Sequence, residues 1–195
     1  MAEFDEDAVL DFMFEMGQLK RLPRTGWFRA GVEDPESVAD HNMRAAQLAY
    51  ILACMEDHPE PERICTMIVF HEIGEARVTD LDHVAKLYTR RAEDKAAEAQ
   101  LEEFGALGDE IYDLWDECEH GTTEAGVIAK DADKLEAAIT AREYVENGHV
   151  AAEAWIEDTR KMLTTDSAKR LIEALEDKSF NDWWQDLDFS EIHSP

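Results

Sequence analysis

Apolar residues recur along this chain at three- and four-residue intervals, in segments parted by short polar, glycine- or proline-marked breaks, a pattern that predicts helices joined by brief loops. Residues 5 to 19 carry Val9, Leu10, Met13, Phe14, Met16 and Leu19 in this way, with Gly17 weakening the last turn. A second helix is expected from Pro35, with Asp34 as its cap, to about Met55, burying a stripe of Val38, His41, Ala45, Leu48, Ala49 and Leu52. A third should begin near Pro59 and Pro61 and run to Ala76. Residues 92 to 104, 107 to 119, 123 to 146, 151 to 162 and 166 to 175 read as further helices, and no stretch reads as a strand. The pattern therefore predicts an all-α protein, with residues 1 to 195 forming a single domain.

Chemistry enters where the pattern is broken from within. Across Ile68-Val69-Phe70-His71-Glu72-Ile73-Gly74-Glu75, the positions of Ile68, His71, Glu72 and Glu75 fall on one stripe of a continuous helix, the side that should face the core. A buried carboxylate without a partner costs several kcal/mol, so such a stripe implies a cation among these groups, either an arginine or a metal ion. His41 sits in the same kind of apolar position on the preceding helix. A short antiparallel connection would turn the two stripes toward each other if their registers match. Asp133, in the row of Ala129 and Ala137, is either a solvated aspartate or a third helix's contribution. Two imidazoles with two carboxylates suit Mn, Fe, Co, Ni or Zn better than Ca or Mg.

Composition narrows the partners. Acidic residues outnumber basic ones 46 to 19, a formal charge of -27 spread along the whole length. That excludes passive binding to a nucleic-acid duplex or an anionic membrane, which needs a basic face. It fits adaptation to a salty cytoplasm, such as that of a halophilic archaeon, where the Debye length shrinks to about 3 Å near 1 M salt; an ordinary acidic protein is the alternative. The start of the chain lacks a signal-peptide pattern and no run of about 18 apolar residues occurs, so a cytoplasmic location is expected. Cys54, Cys65 and Cys118 form no Cys-x-x-Cys pair and are expected to be reduced core residues. Against this acidic background, residues 20 to 29 hold four basic side chains beside Trp27 and Phe28, either an anion receptor or arginines tied to nearby carboxylates. Trp183 and Trp184, with Leu187 and Phe189, are expected to dock the C-terminus or to form an oligomer contact.

The ordered set Leu22-Pro23-Arg24-Thr25-Gly26-Trp27, Pro35-Glu36-Ser37-Val38-Ala39-Asp40-His41, His71-Glu72-x-x-Glu75 and Asp80-Leu81 resembles the 5'-deoxynucleotidase branch of the HD-domain phosphohydrolases. The resemblance spans residues 10 to 145 or so and implies an HD-type helical bundle with the helices of residues 150 to 190 packed on it. It implies a divalent transition metal held by His41, His71, Glu72 and Asp133. Glu75 and Asp80 would be catalytic acids beside the attacking water and the substrate. Trp27 would be an aromatic of the nucleotide pocket, and Asp80, Leu81, Asp82 and His83 its substrate-contacting segment. A nucleoside 5'-monophosphate would be the substrate, and a homodimer the assembly. Two departures stand out. The phosphate-orienting arginine that the family places beside the tryptophan is Gly26 here, leaving Arg24 or Arg29 to serve. The aspartate of the His-Asp pair is Glu72, whose extra methylene shifts the carboxylate by about 1.5 Å. A phosphodiesterase acting on dinucleotides and an inactive nucleotide-binding module are the alternative readings.

Overall fold

The computed structural model describes residues 5–89 and 92–188; Phe189, part of the expected C-terminal anchor, lies outside them. Helices account for nearly all of the regular structure: α1 (Glu6–Met16), α2 (Val38–Met55), α3 (Pro61–His71), α4 (Glu75–Val78), α5 (Glu93–Leu101), α6 (Ala106–His120), α7 (Glu124–Glu146), α8 (Glu153–Met162), α9 (Asp166–Leu175) and α10 (Asp182–Gln185). Among the described residues there is no strand, only a lone bridge between Pro23 and Ser37.

The core forms where α2 packs on both α3 and α7. Both α2 and α7 present rows of buried alanines, Ala45, Ala46, Ala49 and Ala53 on one and Ala125, Ala129, Ala132, Ala138 and Ala141 on the other. Small side chains let the two backbones approach closely, and Leu52, Ile64, Met67, Ile68, Ile128 and Leu135 fill the remaining space. Each of these large residues contributes about 1.5–3 kcal/mol by burial. Close approach recurs where α6 meets α7: a Cβ on Gly126 would lie 2.4 Å from the Glu117 carbonyl oxygen. α8 and α9 pack on the outer side of α7. Their loop is pinned by Asp131, whose buried carboxylate accepts bonds from the Thr164 and Thr165 amides at 2.9 and 2.6 Å.

Several boundaries differ from the sequence reading. The cap of α2 is Ser37, paired with Asp40 in a reciprocal capping box, while Asp34 and Pro35 precede it in the loop. A hydroxyl three residues before a carboxylate satisfies two amides at once, and Asp34 lies too far upstream to do so. The third helix does not run through to Ala76; it ends at His71, and a turn over residues 72 to 74 leads into the short α4. Tertiary partners make the break affordable: the Trp115 indole donates to the His71 carbonyl at 3.0 Å and the Gln100 amide to the Ile73 carbonyl at 2.9 Å, so the freed acceptors are satisfied. Gly74 permits the turn to sit against α5, since a Cβ there would lie 3.0 Å from the Glu93 carbonyl oxygen. Cys54 is exposed, not a core residue, because it faces out from the last turn of α2. Trp183 is also exposed, at 75%, and is not docked on the body.

Candidate metal centre and adjoining cleft

Three helices bring the four proposed donors together. His41 lies in the first turn of α2, His71 is the last residue of α3, Glu72 follows it, and Asp133 lies midway along α7. One donor atom from each falls within 4.8 Å of all the others. His41 Nε2 is 2.9 Å from Asp133 Oδ1 and 3.7 Å from Glu72 Oε1, and His71 Nε2 is 3.2 Å from Glu72 Oε1 and 3.6 Å from Asp133 Oδ1. The break after His71 aids this convergence, because Glu72 leaves the helical path and its longer side chain still reaches both imidazoles.

Each imidazole is oriented from behind. His71 Nδ1 donates to the Ile68 carbonyl at 2.7 Å, which turns Nε2 inward; His41 Nδ1 is held by the Glu136 carboxylate, with the same effect. His71 Nε2 is buried and, although 3.2 Å from Glu72 Oε1, makes no hydrogen bond of good geometry. Two inward imidazole nitrogens and two carboxylates, with donor atoms within 4.8 Å of one another, fit a divalent cation. Electrostatics agree. Burial pushes both imidazoles down, but Asp133 with Glu136 raises His41, and Glu72 with Asp133 raises His71 well above the usual histidine range. Burial likewise pushes the Glu72 carboxyl up, and the charges of His71 and Arg24 outweigh it and hold it far below the carboxylate norm. The site attracts positive charge strongly.

Arg24 supplies part of that charge. Its loop is tied to the start of α2 by an Arg24 amide bond to the Glu36 carbonyl at 2.9 Å and a Val38 amide bond to the Leu22 carbonyl at 2.9 Å. From there Arg24 Nη1 reaches Glu72 Oε1 at 3.0 Å. Arg29 does not come to the cluster: it is exposed and makes a two-pronged bond to Asp82, at 2.8 and 2.9 Å. That pairing holds the Asp82 carboxyl down at about 2. Of the two candidate arginines, Arg24 is therefore the one at the centre.

Glu75 is buried at the start of α4, and its Oε2 has no hydrogen-bond partner. Burial, then the charges of Glu72 and Asp80, push its carboxyl up to about 10. Asp80 accepts bonds from the Thr25 amide and hydroxyl. Thr79 before it has φ 67° and ψ 160°, a strained conformation for a β-branched residue costing about 1–3 kcal/mol. Such strain is retained where the surroundings fix a functional neighbour.

Beside the cluster lies a cleft of about 160 Å³ walled by Arg24, Trp27, Asp80, Leu81, Asp82, His83, Lys86 and Trp155, among others. Larger hollows of 460 Å³ next to Tyr112 and 410 Å³ next to Trp183 hold none of the four donors. Sequence reasoning missed Glu136, Arg44, Lys86 and Trp155. Glu136 was legible in principle, since it lies three residues after Asp133 and shares its face of the helix.

Comparison with known proteins sets these features in a family. 5'-Deoxynucleotidase HDDC2 of Xenopus laevis is 39% identical over 145 residues, covering 71% of this chain and 70% of that protein. The protein of the same name from Danio rerio is 37% identical over 147 residues, covering 72% and 71%. The crystal structure of the genomics protein APC5600 aligns with a TM-score of 0.79 at 34% identity, over 92% of this chain and 99% of that one. A family model described as HD domain matches residues 16–176, so the chain belongs to the HD-domain family.

Proposed function

We propose that this protein is a divalent-metal-dependent phosphohydrolase that removes phosphate from deoxyribonucleoside 5'-monophosphates. The observation that carries the reading is the convergence of His41, His71, Glu72 and Asp133, with both imidazole Nε2 atoms facing the carboxylates and Arg24 at the edge. Similarity to proteins named 5'-deoxynucleotidase supports the substrate class. Glutamate in place of the family's aspartate does not empty the cluster, because Glu72 Oε1 still lies 3.2 Å from His71 Nε2. This favours a working centre over an inactive module.

His41, His71, Glu72 and Asp133 would hold the ion, one of Mn, Co, Fe, Ni or Zn. Bound there, it supplies Lewis-acid polarisation of a phosphoryl oxygen and acidifies water. The remaining work falls to side chains of this chain. Arg24 neutralises phosphate charge and orients the group for in-line attack. A water oxygen forms the new bond to phosphorus as the bond to the ester oxygen breaks, and the leaving alkoxide takes up a proton. Glu75 Oε2 is the atom that gives that proton, since its surroundings favour the protonated carboxyl. Asp80, anchored by Thr25, directs the attacking water and takes up the proton it loses, which returns to Glu75 before the next turnover. Leu81, Asp82 and His83 border the nucleoside, and Arg29 holds this segment through Asp82.

The charge of -27 is, in this account, an adaptation to a salty cytoplasm, and the working assembly is a homodimer. No helix among the described residues is long and apolar enough to cross a membrane. The test of the central reading is paired loss: His41→Ala and Asp133→Ala should each lose bound metal and phosphate release from deoxyadenosine 5'-monophosphate together. A variant that keeps full metal content and full activity would remove that residue from the centre.

A further inference from the structure

The cleft contains two tryptophans, and they are not equivalent. Trp27, the aromatic expected to face the nucleotide, is only 2% exposed. Its indole nitrogen is spent on Glu36 Oε1 at 3.1 Å, and its ring packs edge-on to Tyr144 with centroids 5.1 Å apart. It has almost no surface left to offer a ligand. Trp155, from α8, is half-buried and stands in the cleft wall beside it, with ring centroids 5.1 Å apart and planes tilted by 35°. His83 meets Trp155 edge-on at 5.8 Å. Gly26 leaves the room that the indole occupies: a Cβ there would already touch Trp155 at 3.6 Å, and a longer side chain would have to cross the ring.

From these placements we propose that Trp155 is the specificity-determining aromatic of this site, stacking on the purine or pyrimidine of the substrate, with Trp27 as its rigid backing. The proposal rests on the nucleotide reading above. Arg24 links the cleft to the metal centre, since it both lines the cleft and bonds Glu72. A ligand with its phosphate at Arg24 therefore carries its nucleoside along a wall of Leu81, His83, Ala137 and Trp155. Aromatic faces recognise any base, so this contact selects for the presence of a base rather than for its identity. Discrimination among bases would have to come from elsewhere in the wall.

The test compares Trp155→Ala and Trp155→Phe with the unmodified protein, all metal-loaded and all checked for the same melting behaviour. Calorimetric binding and kcat/KM are measured for deoxyadenosine 5'-monophosphate and for 2-deoxyribose 5-phosphate, which lacks the base. Loss of one stacked base predicts that Trp155→Ala weakens binding and kcat/KM of the nucleotide by about 10-fold and leaves the base-free sugar phosphate unchanged. Trp155→Phe should recover most of the loss. Equal losses for both ligands, or no loss for either, would overturn the proposal. Trp155-dependent nucleotide binding without phosphate release by the unmodified protein would retain the stacking contact and reject the hydrolase reading. Failure of the unmodified protein to bind nucleotide at all would reject both.

Discussion

Glu136 offers the sharpest structural prediction, because it touches no substrate and yet is coupled to the centre through one bond. It is fully buried on α7, with one oxygen on His41 Nδ1 and the other accepting from Arg44 Nε at 2.7 Å and from the Thr140 hydroxyl at 3.0 Å. Arg44 is further held by Glu143 at 2.6 Å. Glu136→Gln preserves volume, and its carbonyl can still accept from His41. Its amide, however, must then face the Arg44 guanidinium, so a donor opposes donors there, while the Thr140 hydroxyl can turn to accept one of the amide hydrogens. A buried unsatisfied donor costs about 1–3 kcal/mol, which for a chain of this size lowers the melting temperature by several degrees. Loss of the carboxylate behind a metal-binding histidine typically lowers metal affinity by about 10–100-fold, or ~1.4–2.8 kcal/mol. Titration calorimetry of Mn or Co into chelated protein measures the second effect and a thermal melt the first. Unchanged affinity at full occupancy would refute the claim that Glu136 sets the His41 ligand, even if the melting temperature fell.

Three further outcomes are expected. Arg24→Ala should lower kcat/KM for a nucleoside monophosphate by about 10²–10³, the usual effect of removing one charge-stabilising donor, while bound metal stays stoichiometric; a change below threefold would remove Arg24 from the phosphate site. For chelated protein, the Glu75 carboxyl raised to about 10 binds its proton more tightly folded than unfolded, so its contribution is fully present below about pH 4.5 and is lost as pH rises toward 10. Stability of the metal-free protein should thus fall across pH 6 to 9, and Glu75→Gln should flatten that slope; an unaltered slope in the variant would contradict it. Because 46 acidic residues face 19 basic ones, the melting temperature should rise with KCl up to about 1 M as self-repulsion is screened, and a steady fall from the lowest salt would argue against salt adaptation.

The helical plan was legible because burial imposes a 3.6-residue period on long elements such as α2 and α7, and their ends in Met55 and Glu146 follow from it. His41 betrayed itself by occupying a buried position of that period. The break at residues 72 to 74 was not legible: Ile73 continues the apolar pattern, and the turn exists because Trp115 and Gln100, distant in sequence, take its carbonyls. Glu136 drew no notice among so many acids: its spacing to Asp133 places it on the same face, but nothing local reveals that Arg44 and His41 approach it from α2. The same holds for Trp155, whose role depends on α8 folding back across Gly26. Local periodicity therefore singled out His41 and the His71 turn as candidates, whereas the groups that orient them were defined only by packing between helices.

Phosphate release is the measurement that bears most directly on the whole account. Purified protein, stripped of metal and assayed in high salt, is offered deoxyribo- and ribonucleoside 5'-monophosphates with Mn, Co, Mg or no added ion. The account predicts release only when a divalent transition metal is restored, and faster release from the deoxyribonucleotides. No release from any of them, by folded protein carrying one metal ion per chain, would contradict it.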